Sequence, residues 1–113
     1  MPDLLPVNVQ ITGYLVSCLP LDHIDASAFS VTVEWRGHDR WAVCRFRECF
    51  AADGTWSWES VPSEREDEWL ATHRFDWDTA MVLATKACQN LTVNGITVQD
   101  VLARIRAKGG DRP

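Results

Sequence analysis

The sequence predicts an α+β domain, an antiparallel meander of about four strands followed by two or three helices packed on one face. Three observations carry this. Apolar and polar residues alternate at period two as far as residue 61. The turn signals in that half, Gly37-His-Asp-Arg40 and Ala52-Asp-Gly54, are short and contain glycine and aspartate. Beyond Val61-Pro62 the apolar spacing lengthens to that of a helix, with capping residues ahead of each run.

The chain has 113 residues, which suits a single domain spanning 1–113 with one core. Hydrophobic residues at 46% and charged residues at 24% place it with ordinary globular proteins rather than disordered ones. The start, Met1-Pro-Asp-Leu-Leu-Pro6, has no basic region or long apolar run, so no signal peptide is expected. No apolar segment is long enough to span a bilayer. Cys18, Cys44, Cys49 and Cys88 lack a C-x-x-C spacing and read as reduced, buried thiols of a cytoplasmic protein.

Taken in order, residues 7–18 alternate, with Val7, Val9 and Ile11 on one face, and predict a first strand with a bulge at Gly13. Asp22, His23 and Asp25 follow in a loop, and no further ligand completes a metal set. Phe29 to Arg36 is a second strand, with Phe29, Val31, Val33 and Trp35 inward. A four-residue loop at 37–40 would pair Arg36 with Trp41, Trp35 with Ala42 and Val33 with Cys44. Trp41 then lies on the outer face against Arg36, and Cys44 points inward.

Residues 41–50 read as one central strand. The next turn decides where Trp56 and Trp58 go. A three-residue loop Ala52-Asp-Gly54, with Gly54 left-handed, puts both indoles inside and sends Glu59 to water. The alternative two-residue loop buries Glu59 and is disfavoured, since an unpaired buried charge costs far more than a bulge.

Ser63-Glu-Arg-Glu66 has the form of a capping box for a helix running to about Thr72 and carrying Trp69 and Leu70. Asp76 caps a second helix, in which Trp77, Ala80, Met81, Ala84 and Cys88 form a core stripe. Leu91 to Gly95 is a turn or a very short extended piece. Thr97-Val-Gln-Asp100 opens a third helix, with Ile96 and Val101 at the staple positions and Gly109-Gly110 as its stop.

Residues 53–78 hold eight acids against Arg65 and Arg74, a balance of −6 within a net charge of −5. Such a segment disfavours nucleic acid, whose binding needs a basic surface. The run from Cys49 through Val101 resembles small uncharacterised proteins of actinobacteria and their phages. Cys49-Phe-Ala-Ala-Asp-Gly-Thr-Trp-Ser-Trp-Glu59, Pro62-Ser-Glu-Arg-Glu-Asp-Glu-Trp-Leu-Ala71, His73-Arg-Phe-Asp76 and Val93-Asn-Gly-Ile96 carry the likeness. It implies a source and brings no activity.

For function, Cys44 or Cys49 with His38 or His73 is the only nucleophile candidate, and nothing in the sequence supplies its oxyanion donors. The expectation is therefore a non-catalytic protein-interaction module that regulates or inhibits a host protein, without cofactor or metal. The alternatives are a virion assembly accessory and a small cysteine-dependent enzyme. Trp41, Glu64, Asp67, Glu68 and Trp69 form the expected interaction surface, since tryptophan anchors interfaces and acids steer a basic protein partner. Self-association through the strand at 7–18 is a second route, if that strand is an edge. Membranes are not an expected partner.

Overall fold

The computed structural model describes residues 3–59 and 65–109. Five antiparallel strands lie side by side in chain order: β1 (Gly13–Ser17), β2 (Ser30–Trp35), β3 (Trp41–Arg45), β4 (Glu48–Phe50) and β5 (Trp56–Trp58). Helices α1 (Asp67–His73), α2 (Trp77–Cys88) and α3 (Val98–Gly109) follow. A two-stranded ribbon, β6 (Thr92–Val93) with β7 (Ile96–Thr97), lies between the last two helices and turns at Asn94-Gly95. A meander followed by helices is the α+β architecture that the sequence predicts.

The β2–β3 loop is one residue shorter than expected. The Arg36 N–H donates to the Arg40 carbonyl at 2.8 Å. Gly37, His38 and Asp39 make the loop, all at positive φ (86°, 50° and 56°). Trp35 therefore pairs with Trp41, Val33 with Val43 and Thr32 with Cys44. A one-residue shift turns every β3 side chain over. Trp41, 7% exposed, and Val43 enter the core, while Ala42 and Cys44 face the other way. This corrects the expected outward Trp41, its pairing with Arg36, and the inward Cys44. Left-handed His38 and Asp39 cost on the order of 1–2 kcal/mol each. Burying an indole and a valine in place of an alanine and a thiol offsets much of that.

Residues 41–50 do not form one strand. The chain reverses at Phe46-Arg47, so that Arg45 pairs with Glu48 and Cys44 with Cys49. Phe46 sits at φ 56° and is 85% exposed. The turn has no glycine, proline, asparagine or aspartate, so composition does not announce it. The next hairpin does follow the expected bulged form. The Ala51 N–H donates to the Thr55 carbonyl, and Gly54 has φ 89°. Trp56 then lies opposite Phe50, with ring centroids 4.9 Å apart, and packs on the core. Trp58, expected inside as well, is 59% exposed beside the Phe46 turn, with the Arg47 guanidinium over its ring.

The first strand is shorter than its alternation suggests. Pairing to β2 runs from Gly13 to Ser17, with one more bond from the Trp35 N–H to the Thr12 carbonyl. β2 ends at Trp35 and the chain turns away into the 37–39 loop, which leaves the preceding residues without a strand beside them among the described residues. Val7, Val9 and Ile11 are exposed.

The helices use the two faces of the sheet differently. Ala80, Ala84, Ala87 and Cys88 of α2 bury against Phe29, Val31, Val33, Trp41 and Val43. Asp76 caps α2 by accepting from the Thr79 N–H at 2.7 Å. Thr97 and Asp100 cap α3 reciprocally, and Val98 and Val101 join the same core. Gly110, the second residue of the expected stop, lies outside the described residues. On the opposite face, Trp69 of α1 covers Ala42, Cys44 and Cys49. The expected capping box does not start α1: Glu66 is the N-cap and makes no side-chain bond, and Ser63 lies outside the described residues. The chain then crosses the sheet at Phe75, which exchanges two backbone bonds with Trp41.

Candidate functional site

The polar chemistry gathers on the α1 face. In an antiparallel sheet every second residue shares a side, so Glu34, Arg36, Ala42, Cys44, Cys49, Ser57 and Glu59 face α1 together. Glu59 stands at the centre. Its carboxylate accepts from Arg36 Nη2 at 2.8 Å and Nε at 3.2 Å, from Arg74, and pairs with Arg65 at 3.6 Å. The Glu59 side chain is only 14% exposed, so it reaches arginines rather than the water expected for it. Burial alone pushes its carboxyl up. The hydrogen bonds and charges of Arg36 and Arg74 outweigh burial and hold it down at about 2. Arg36 in turn is raised above its ordinary value, first by its bond to Glu59.

Beside this cluster a cleft of about 600 Å³ opens between the β2–β3 loop and α1. Among the described residues Arg36, Arg40, Arg65 and Arg74 line it, with Leu70 and Ala71 as apolar lining and Asp67 as an acid.

Further along the face, Ser57 Oγ lies 2.8 Å from His73 Nε2. His73 Nδ1 is 2.7 Å from the Trp69 carbonyl, which can only accept, so the neutral ring carries its proton on Nδ1. The Ser57 hydroxyl therefore donates to His73, and it accepts from Trp69 Nε1 at 3.2 Å. This is the hydrogen-bond order of a serine–histidine pair, but both groups are satisfied internally. His73 is buried, and Trp69 stacks on its ring at 4.1 Å and 5°. Neither residue lines the arginine cleft. The arrangement latches α1 to β5.

The four thiols form two close pairs. Cys44 Sγ is 3.6 Å from Cys49 Sγ, across the unforeseen β3–β4 hairpin. Cys18 Sγ is 3.3 Å from Cys88 Sγ, joining the end of β1 to the end of α2. All four are free; Cys44, Cys49 and Cys88 are buried, and Cys18, expected to be buried as well, is half-exposed. Within the first pair, the shared hydrogen bond raises Cys44 and lowers Cys49, so Cys49 ionises first with Cys44 as its donor. Burial, then contact with Cys18, pushes Cys88 up to about 12.

Cys44, Cys49 and Glu59 bring three ligand atoms within 4.8 Å of one another. They fit a metal ion poorly. Glu59 is committed to three guanidiniums, and Arg36 also reaches within 3.6 Å of Cys44 Sγ, so a cation there would meet fixed positive charge.

Of the expected interaction surface, Trp41 is core and leaves the list. Glu64 lies outside the described residues. Asp67 and Glu68 are exposed on α1, and Trp69 is half-buried beneath them, with the Arg74 guanidinium 5.2 Å from its ring. His38 is on the cleft and His73 in the latch, and neither is hydrogen-bonded to Cys44 or Cys49 among the described residues.

No family model, curated protein or solved structure matches this chain.

Ser57, Arg36, Arg74 and Glu59 are the residues that sequence reading missed. The signal available for them was strand parity. With β3 and β4 in register, Cys44, Cys49, Ser57 and Glu59 fall on one face without further information.

Proposed function

We propose that this chain is a non-catalytic protein-interaction module whose contact element is its N-terminal arm together with the β1 edge. The observation that carries this is the exposure of Leu4, Leu5, Val7, Val9 and Ile11 directly ahead of an edge strand. The radius of gyration, 17.7 Å, exceeds the roughly 13 Å of a compact chain of this length, in keeping with an arm that stands off the body. Five exposed apolar side chains on one short segment make a docking element rather than scattered surface residues. An edge strand offers unpaired N–H and C=O groups to a second strand.

The occupant that fits is a second copy. Val7, Val9 and Ile11 of the arm and Leu15 of β1, itself 46% exposed, place exposed apolar side chains on both the arm and the edge. Two such edges laid antiparallel across a two-fold axis are self-complementary. The internally satisfied Ser57–His73 pair and the buried Cys44 and Cys49 support the non-catalytic part of this reading. The arm serves either of the expected roles, regulating a host protein or assisting virion assembly.

Light scattering on the full chain, and on a chain lacking residues 3–12, tests the reading. The full chain is expected to be dimeric. The shortened chain should be monomeric, with an unchanged circular dichroism spectrum in the helical region. A full chain that stays monomeric at high concentration overturns the self-pairing, and so does a shortened chain that still dimerises.

A further inference from the structure

We propose that the cleft between the β2–β3 loop and α1 binds a small ligand bearing an oxyanion, a carboxylate or a phosphate, on a short apolar body. This goes beyond the interaction role, which uses none of the cleft residues. Three observations support it.

The first is charge. The chain is acidic, at −5, yet among the described residues four arginines line this one cleft with one acid, Asp67. Glu59 and Glu34 behind them answer only part of that charge, and Arg40 is paired with neither. Arginine's planar fork suits carboxylate and phosphate better than any other side chain does.

The second is preorganisation. Glu59 holds Arg36 through two hydrogen bonds and Arg74 through another, and the Arg74 side chain is 8% exposed. These guanidiniums are fixed before a ligand arrives, so binding orders little that is not already ordered. Arg40 differs: it is exposed at the rim, on the far side of the loop, where its side chain can close on a bound group.

The third is shape. A cleft of about 600 Å³ falls within the range of small-molecule sites, and Leu70 with Ala71 supplies the apolar lining such sites carry. Among the described residues no phenylalanine, tyrosine or tryptophan lines it, so the ligand is held by its anionic group and aliphatic contact rather than by stacking on such a ring.

Isothermal titration calorimetry with inorganic phosphate and, separately, with succinate provides the test, each run against sodium chloride of matched ionic strength. Saturable one-site binding of at least one probe beyond the chloride control is expected, and the tighter probe identifies the oxyanion. Arg40→Glu should weaken that binding about tenfold or more, the loss of one charge-assisted contact and its replacement by repulsion. Arg47→Glu, on the exposed Phe46 turn, should leave it unchanged. Circular dichroism confirms that both variants fold, and Arg40→Gln, which removes charge without adding any, should fall between wild type and Arg40→Glu. Binding no stronger than the chloride control overturns the proposal. Equal losses in the Arg40 and Arg47 variants also overturn it, because they would show diffuse attraction rather than a site.

Discussion

The two faces of the sheet are built on different physics. The face under α2 and α3 is apolar and closes by area: Val31, Val33, Trp41 and Val43 meet a row of alanines that lets the helix approach closely. The face under α1 is sparse in apolar contact, with Ala42, Cys44, Cys49 and Trp69 as its only cluster among the described residues. It is held by directional bonds instead, Glu59 to its arginines and Ser57 to His73 and Trp69. An apolar face tolerates exchange of similar volumes. A bonded face fails when one partner is removed, because the other is left desolvated and unpaired. The difference teaches where this fold can carry chemistry: on the face whose side chains are oriented by bonds and bordered by a cleft.

The largest expected effect tests the apolar face. Trp41→Ala should destabilise the protein by about 3–5 kcal/mol in urea unfolding. A loss under about 1 kcal/mol would put Trp41 back on the surface and undo the observed register.

Glu59→Gln comes next, at about 2–3 kcal/mol, since it removes a charged acceptor shared by buried guanidiniums. Its signature is in the pH dependence. Glu59 is depressed to about 2 in the folded protein from an ordinary value near 4.5. The unfolded chain therefore binds the proton first, and the stabilisation, fully present above about 4.5, is lost as pH falls towards 2. Acid unfolding of the Glu59→Gln variant should be flatter across that window. Equal slopes for both proteins would mean that the arginines do not depend on this carboxylate.

Gly54→Val should cost about 1–2 kcal/mol by thermal or chemical unfolding. No atom lies within 4 Å of an added Cβ, so the whole cost is the positive φ of 89°. This turn sets which of Trp56 and Ser57 faces which side. A neutral substitution would mean that the hairpin has a second register.

Thiol labelling separates the faces by rate. Cys18, half-exposed, should react first in the native protein, and Cys44 and Cys49 only on unfolding. Fast labelling at Cys49 would show that α1 lifts from the sheet.

The smallest effect belongs to the solvent side of α1. Glu68→Lys should change stability by less than about 0.5 kcal/mol. A larger loss would mean that the acidic segment is structural rather than solvated.

Alternation and capping chemistry are local properties, and they carried most of the architecture. The β2 strand, the Gly54 bulge, the Asp76 cap, the Thr97 start of α3 and the stripe of α2, apart from Trp77, which is 41% exposed rather than core, are legible because each depends on residues within a turn or two of one another. The arm failed as a strand although its alternation is clean. Pairing needs a neighbour, and β2 ends at Trp35. The candidate site was less legible still. Its members span Arg36 to Arg74, and they meet only because two turns, at 37–39 and at Phe46-Arg47, have the lengths they do.

By itself, then, the sequence determined the class of the fold and the bounds of β2, α2 and α3 to within a residue or two, through short-range periodicity and hydrogen bonding. Tertiary structure alone decided the register of β3, the burial of Trp41, the α1 face and the gathering of arginines on Glu59. One residue of loop length inverts a strand, and only the summed packing of the whole core selects between the two outcomes.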